Sequence, residues 1–396
     1  MLILSLATDF AAAQQPVASF FYDERGNIIR QDRDTNGDGK MDRSTYYDRQ
    51  GQVEKVEQDV NFDGKPDIFI YYESGTPRRQ EIASKNDGRI DVWHFLDASG
   101  QIERKGQDTV GSGQPTVWVY YQNGQPVRSE EDTKSGANSK RTVLYQDGKI
   151  SRIDEDTNGD GTTDSFSYFE NGQLIRKELD RKNNGKVDLR GYYQDGRLVR
   201  QEEDLRGDGK VSRIIYFQGE EIVRREEDTV GRGRMDMIEW FTQGRVNKRF
   251  RDTKGTGKWD IVQHFKDNEL VREERDTEGD GFLDLRLLYE KGQLVRQEAD
   301  TNGDRRVDVW VNFQNGERVE QLEDQTYRGK ISARYLFKNG QVVAQEQVAD
   351  ADPPSIAFPF VAVEEELRSV AGYQASRLAD TGINAKAEVE SRSDPK

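Results

Sequence analysis

Short β-prone runs alternate with polar, glycine-bounded breaks along nearly the whole chain. The stretch from Val187 to Asp204 reads VDLRGYYQDGRLVRQEED and then enters LRGDGK. Two runs of about six residues flank Asp195-Gly196, and an Asp-Gly or Asn-Gly pair in that place is the strongest short-range hairpin signal. Equivalent pairs stand at Asn123-Gly124, Asp147-Gly148, Asn171-Gly172, Asn315-Gly316 and Asn339-Gly340. Runs this short, closed by glycine on both sides, argue against helix.

The Asp that follows the second run recurs at Asp132, Asp156, Asp180, Asp204, Asp228, Asp252, Asp276, Asp300 and Asp324, always 24 residues apart. Upstream, Asp34, Asp59 and Asp108 continue the series with one-residue insertions, and Ala83 stands in the same place. Constant length implies that each unit stacks on its neighbours in one geometry. The expected fold class is all-β: a tandem repeat of about fourteen 24-residue β-hairpins, forming an extended or spiralling antiparallel sheet over residues 18–348. A linker at 349–362 and an amphipathic helix at 363–380 follow, the latter carrying Val363, Leu367, Val370, Ala371 and Leu378 on one face, then a disordered tail at 381–396. The helix is expected to cap the last hairpin, whose open end would expose pairing groups, or to dock on a partner.

Three columns run through the repeats. The Tyr193 position is aromatic almost throughout, as Tyr47, Tyr72, Tyr121, Tyr145, Phe169, Phe217, Phe241, Phe265, Tyr289, Phe313 and Phe337, and is the expected core. Beside it, Tyr120, Tyr168, Tyr192, Tyr216 and Trp240 form a looser stripe on the opposite face, a candidate ligand surface. On the second run a basic row (Arg30, Lys55, Arg79, Arg104, Arg128, Arg152, Arg176, Arg200, Arg224, Lys248, Arg272, Arg296) has an acid two residues on in most units, as Glu202 follows Arg200. Residues two apart share a strand face, so these rows are expected to pair on a solvated surface.

Composition sharpens the picture. Only 33% of the 396 residues are apolar, too few for a thick core, yet 16 Tyr, 17 Phe and 5 Trp exclude a disordered chain. A net charge of -15 argues against nucleic acid and anionic membrane as partners and makes cations the natural counterpart. The absence of cysteine excludes disulfides and thiolate metal sites. No stretch approaches a membrane span. Residues 1–15, with Leu2-Ile3-Leu4 and Ala11-Ala12-Ala13, resemble a secretory signal, so an extracytoplasmic location in the periplasm, at the cell surface or secreted is expected.

Between units, five loops place oxygen-bearing side chains at positions 1, 3, 5 and 9: Asp34, Asn36, Asp38 and Asp42; Asp59, Asn61, Asp63 and Asp67; Asp156, Asn158, Asp160 and Asp164; Asp276, Glu278, Asp280 and Asp284; Asp300, Asn302, Asp304 and Asp308. That spacing matches the first part of an EF-hand loop and makes Ca²⁺, in several weak sites, the expected cofactor. The bidentate Glu at position 12 is missing, Thr45, Ser167 and Leu287 standing there. Asp, Asn and Gly also form turns without metal, by bonding their own backbone. Other loops have lost ligands, with Val110, Val230, Lys254, Lys182 or Arg206 at position 3, while keeping glycines; there a basic side chain is expected to replace the cation.

These loops resemble the D-x-N-x-D-G-x-x-D motifs of dockerin-type and thrombospondin type 3 repeats. The hairpins Phe21-Tyr22-Asp23-Glu24-Arg25-Gly26 and Tyr46-Tyr47-Asp48-Arg49-Gln50-Gly51 resemble YD repeats of RHS-type proteins, and more distantly MORN-like repeats. The resemblance implies an array of β-hairpins and calcium as ligand.

Catalysis has little to stand on: His94 and His264 lie far apart in strands, and the carboxylates recur in every unit. The expected function is a non-enzymatic extracytoplasmic scaffold or adhesion module stabilised by calcium. The alternatives are a cell-wall or glycan-binding protein using the aromatic stripe and a protein-binding, MORN-like immunity module.

Overall fold

The computed structural model describes residues 17–132, 140–354 and 359–370. The signal-like start, the tail and the expected helix beyond residue 370 lie outside these residues. The described residues form 28 strands and one helix at 363–370, the all-β tandem hairpin array expected. The chain divides into two units, residues 1–177 and 178–396.

Within each unit, consecutive strands pair antiparallel. In the second, Leu189–Gln194 pairs with Arg197–Glu203, which pairs in turn with Arg213–Gln218. In the first, Lys140–Gln146 pairs with Lys149–Glu155 in the same way. Asp195 and Gly196 both have positive φ, 50° and 75°, the type I′ geometry that matches strand twist and that Asp and Gly tolerate. The YD-like units turn differently: Asp23, Asp48 and Asp97 each accept two backbone N–H groups from the following four residues.

Each regular hairpin carries one irregularity that the sequence did not announce. Tyr193 opposes Leu198, but Tyr192 opposes Arg200, so Val199 is an extra residue forming a β-bulge. Without it Arg200 would face Gly191; with it the arginine stands directly across from Tyr192. The same shift occurs at Leu144/Tyr145 and at Trp240/Phe241.

The expected core column is half-buried throughout, not fully buried. Each of its aromatics sits one pair from the hairpin turn, where solvent reaches the sheet end. The deepest continuous rows are instead loop aspartates. Asp34, Asp108, Asp204, Asp228 and Asp324 at position 1, and Asp67, Asp188 and Asp236 at position 9, are all 4% exposed or less.

An apolar cluster forms in the second unit from Ile238, Trp240, Phe250, Val262, Leu283, Val307, Trp310, Ile331, Phe360 and Val363. The last strand, Gln341–Ala351, runs into the expected linker. The chain then returns to the sheet well before the last hairpin: Leu283 N–H donates to Val361, Val363 N–H to Gly281 and Phe360 N–H to Arg305. The C-terminal segment thus lies on the sheet face and on loops some fifty-five to eighty residues upstream, in an apolar cluster that Ile331, Val348 and Ala351 of the last hairpin also join.

Candidate functional site

The repeated loops are the most regular feature of the chain. At position 1, Asp34 accepts N–H bonds from Gly37 on one oxygen (2.6 Å) and Gly39 on the other (2.8 Å). At position 9, Asp42 accepts the Thr35 N–H (2.9 Å) and hydroxyl (2.7 Å). Gly37 and Gly39 have φ of 79° and 89°, and this left-handed backbone turns their N–H groups onto one carboxylate. The other four predicted loops do the same: Asp59 takes Phe62 and Gly64, Asp156 takes Gly159 and Gly161, Asp276 takes Gly279 and Gly281, Asp300 takes Gly303 and Arg305. Asp67, Asp164, Asp284 and Asp308 close onto the second residue of their loops.

Loops that lack the calcium signature have the same geometry. Asp108 binds the N–H groups of Gly111 and Gly113, and Asp228 those of Gly231 and Gly233. Burial works to raise the Asp108 pKa, but these donors, with those of Ser112 and Val110, outweigh it and hold the carboxyl at about 2. Both oxygens of the position-1 carboxylate therefore serve the backbone whether or not positions 3 and 5 carry ligands. Asn36, Asp38, Asp63, Asn158, Asp160, Glu278, Asp280, Asn302 and Asp304 are exposed, several of them bonded within their own loop as Asn36 is to the Asp38 N–H, while Asn61 is half-buried.

Consecutive loops are joined by their backbones. Asp59 N–H donates to Asp42 C=O, Asp204 to Asp188, Asp252 to Asp236 and Asp300 to Asp284, each at 2.8–3.0 Å. Basic side chains at position 3 reach the next loop instead of filling their own. Lys182 Nζ meets the carbonyls of Asp204 (3.1 Å) and Leu205 (3.2 Å), and Lys254 Nζ those of Asp276 (3.0 Å) and Thr277 (3.1 Å). Arg206 does the same to Asp228.

The second repeated feature is the face carrying the aromatic stripe. Because of the bulge, each tyrosine of the stripe sits beside an arginine: Arg128 lies over Tyr120 (4.6 Å), Arg176 over Tyr168 (4.1 Å), Arg200 over Tyr192 (5.2 Å) and Arg224 over Tyr216 (4.8 Å). The Tyr120 and Tyr192 hydroxyls donate to Glu130 and Glu202, which pair with Arg128 and Arg200. Burial first, then the Glu202 charge, pushes the Tyr192 hydroxyl up to about 12. The basic and acidic rows pair along one strand, as in Arg30–Asp32 (2.7 Å) and Arg152–Asp154 (2.6 Å), rather than only across strands. Trp240 departs from the expected open stripe. It is 2% exposed, edge-on to Phe250 in the apolar cluster, and has no free face for a ligand.

Sequence reasoning passed over a third place. His264, Glu274 and Glu366 bring their ligand atoms within 4.8 Å of one another, the single such trio among the described residues. Lys248, Arg272 and Arg286 already pair with these carboxylates, so the cluster is charge-balanced without a metal. Burial lowers the His264 pKa, and the Arg272 and Lys248 charges add to this against the Glu274 bond. The signal was present in the sequence: the acidic row fails at Phe250 and Leu322, where the C-terminal segment lands. At Lys248 the missing acid is replaced by Glu366 from the helix.

No known protein family matches the sequence, and no curated protein matches it. Among solved structures, accessory secretory protein 1, 2 and 3 of Streptococcus pneumoniae aligns over 31% of this chain and 20% of its own, at 19% identity and TM-score 0.17. TcdB2-TccC3-TEV aligns over 81% of this chain and 24% of its own (13% identity, TM-score 0.15), and TcdB2-TccC3 over 80% and 24% (12%, 0.16). This chain spans about a quarter of the length of the TcdB2-TccC3 chains. Overlaps this limited carry no argument about function. The tandem antiparallel hairpin fold rests on the strand pairing itself.

Proposed function

We propose that the chain is a non-enzymatic repeat scaffold working outside the cytoplasm, which holds a regular charged surface in fixed register within each unit. The observation that carries this reading is the loop ladder: buried Asp carboxylates close every described loop type on its own backbone, and loop-to-loop N–H bonds fix the spacing. Such an array gains stability from nearest-neighbour stacking and displays the same row of side chains many times over. The signal-like start supports the location. The guanidinium groups over the stripe leave it less open to sugar rings than a bare aromatic platform, which favours protein over glycan as partner. Fractionation of cells producing the full chain tests the location. Recovery from the extracytoplasmic fraction is expected, and recovery from the cytoplasm overturns it.

Calcium is a second reading, and the lysine staples favour a seat for it between loops. Where Lys182 and Lys254 stand, an ammonium bridges two carbonyls of the next loop. In the loops beginning at Asp34 and Asp276, position 3 is Asn36 or Glu278, and calcium would take the place of the ammonium, drawing on the following carbonyls and the exposed Asp38 or Asp280. Titration calorimetry with calcium on the metal-free chain tests this. Weak binding, about 10⁻⁴–10⁻³ M as at extracellular sites, is expected, and no heat at millimolar calcium removes the reading.

A further inference from the structure

We propose that copies of this chain associate head to tail, the outer edge of the last strand of one copy pairing with the first strand of the next. The first strand, Ala18–Tyr22, and the last, Gln341–Ala351, each have a strand partner on one side only among the described residues, Ile28–Arg33 and Ile331–Lys338. An open edge offers unpaired N–H and C=O groups to another chain, and charged side chains are one guard against this. At both ends that guard is thin. The inner strand Arg197–Glu203 carries four charged residues, whereas Gln341–Gln347 carries only Glu346 and Ala18–Tyr22 carries none.

Exposure marks the neighbour each end lacks. Phe20 and Phe21 are 47% and 44% exposed, and Val342 and Val343 are 53% and 59% exposed. In units with a predecessor the Phe21 position is half-buried, as at Tyr46, Tyr71, Tyr192 and Tyr216. In a unit with a successor, Leu198 and Val199, the equivalents of Val342 and Val343, are half-buried as well. The cations show the same gap: Tyr46 is covered by Lys55 of its own unit (5.8 Å) and Arg30 of the one before (5.5 Å), while Phe21 has Arg30 of its own unit alone (5.1 Å).

The register of the junction is the one the chain already uses between its hairpins. Arg30 stands across from Tyr46, Gln31 from Thr45 and Asp32 from Ser44. Carried to the two ends, it sets Ala344 across from Phe21, Gln345 from Phe20 and Glu346 from Ser19. The side chains suit these places. Ala344 stands where other units have arginine or lysine, so no cation is buried against Phe21. Ser44 donates its hydroxyl to Asp32 at 2.8 Å, and Ser19 repeats that serine opposite Glu346, which is exposed and held in its own hairpin only loosely, by Arg334 at 3.7 Å. A contact between two first strands or two last strands repeats no register found in the chain, which selects the head-to-tail arrangement.

The inference extends the scaffold reading by naming a partner, a second copy, and its test is separate from cell fractionation. Sedimentation velocity of the full chain in chelator, over a wide range of concentration, is expected to show reversible growth of species beyond the monomer. Ser19→Glu sets a carboxylate against Glu346 and is expected to weaken this association about fivefold or more. Adding Glu346→Lys to the same chain is expected to restore it, a recovery that neither a misfolded variant nor a contact between two first strands would give. Amide exchange at Phe20 and Phe21 is expected to slow as concentration rises. A monomer at every concentration, whether its first strand exchanges freely or is protected by the chain's own residues 1–16, overturns the proposal. So does association that Ser19→Glu leaves unchanged or that Glu346→Lys fails to rescue.

Discussion

Lys248 and Glu366, 118 residues apart in sequence, form an ion pair of 2.5 Å that holds the C-terminal helix to the sheet. Both side chains are mostly covered, at 15% and 17% exposure, so the pair is worth more than a surface bridge. Glu366→Gln is expected to cost about 1–3 kcal/mol, the range for a hydrogen bond to a charged group. Phe360→Ala, which removes a 3% exposed ring from beneath Arg286, is expected to cost about 3–5 kcal/mol. Urea unfolding of the two variants checks the order.

Loop closure by carboxylate makes its own prediction. Asp204 takes the N–H groups of Gly207 (2.6 Å) and Gly209 (2.7 Å) on its two oxygens. Asp204→Ala leaves two donors unanswered in a covered place, for a loss of about 1–3 kcal/mol. Asp204→Asn keeps one good acceptor and is expected to lose less. A chemical denaturation series in chelator separates this effect from any metal.

Phe62 occupies position 4 of its loop with φ of 62°, where most loops have glycine. A side chain in that conformation costs about 1–2 kcal/mol, and Phe62 is 45% exposed, so little packing opposes its removal. Phe62→Gly is expected to raise stability by about 0.5–1 kcal/mol once the unfolded-state entropy of glycine is set against the strain. A fall in the melting temperature would contradict the strain.

Acid should loosen the array. Burial works to raise the Glu274 carboxyl, but the His264 bond and the Arg272 and Arg286 charges hold it at about 2, as backbone donors hold Asp108. Asp204, Asp228 and Asp324 are pushed down as well: burial works to raise them, and the hydrogen bonds of their loops outweigh it. A folded pKa below the unfolded value of about 4 gives stability that is complete above about pH 5 and is lost as pH falls toward 2. His264, lowered mainly by burial, adds a loss that begins below about pH 6.5. Melting temperature is expected to decline from pH 6.5 downward, with Glu274→Gln removing part of the acid limb.

The hairpins could be read from Asp195-Gly196 and its equivalents, and the stacking from the unbroken 24-residue spacing of the loop aspartates. Those signals are local, and the physics behind them is that of single turns. The bulge at Val199 left no mark, because no side chain there is special, and it alone decides that Arg200 stands over Tyr192. The aromatic column is half-buried rather than the core its regularity predicts, because burial depends on how near the sheet end a residue lies, which composition does not encode. The seat of the C-terminal helix was legible in retrospect: Phe250 and Leu322 break an acidic row for which their own units offer no reason.

Buried carboxylates hold the loop N–H groups, as Asp34 does for Gly37 and Gly39 and Asp204 for Gly207 and Gly209. Amide hydrogen exchange in the presence of chelator, read at Gly37, Gly39, Gly207 and Gly209, tests it most directly. Protection of these four N–H groups comparable to that of the neighbouring strands is predicted, with calcium adding little. Exchange near the unprotected rate until calcium is supplied would contradict it, and would make the loops metal sites whose turns form only around the ion.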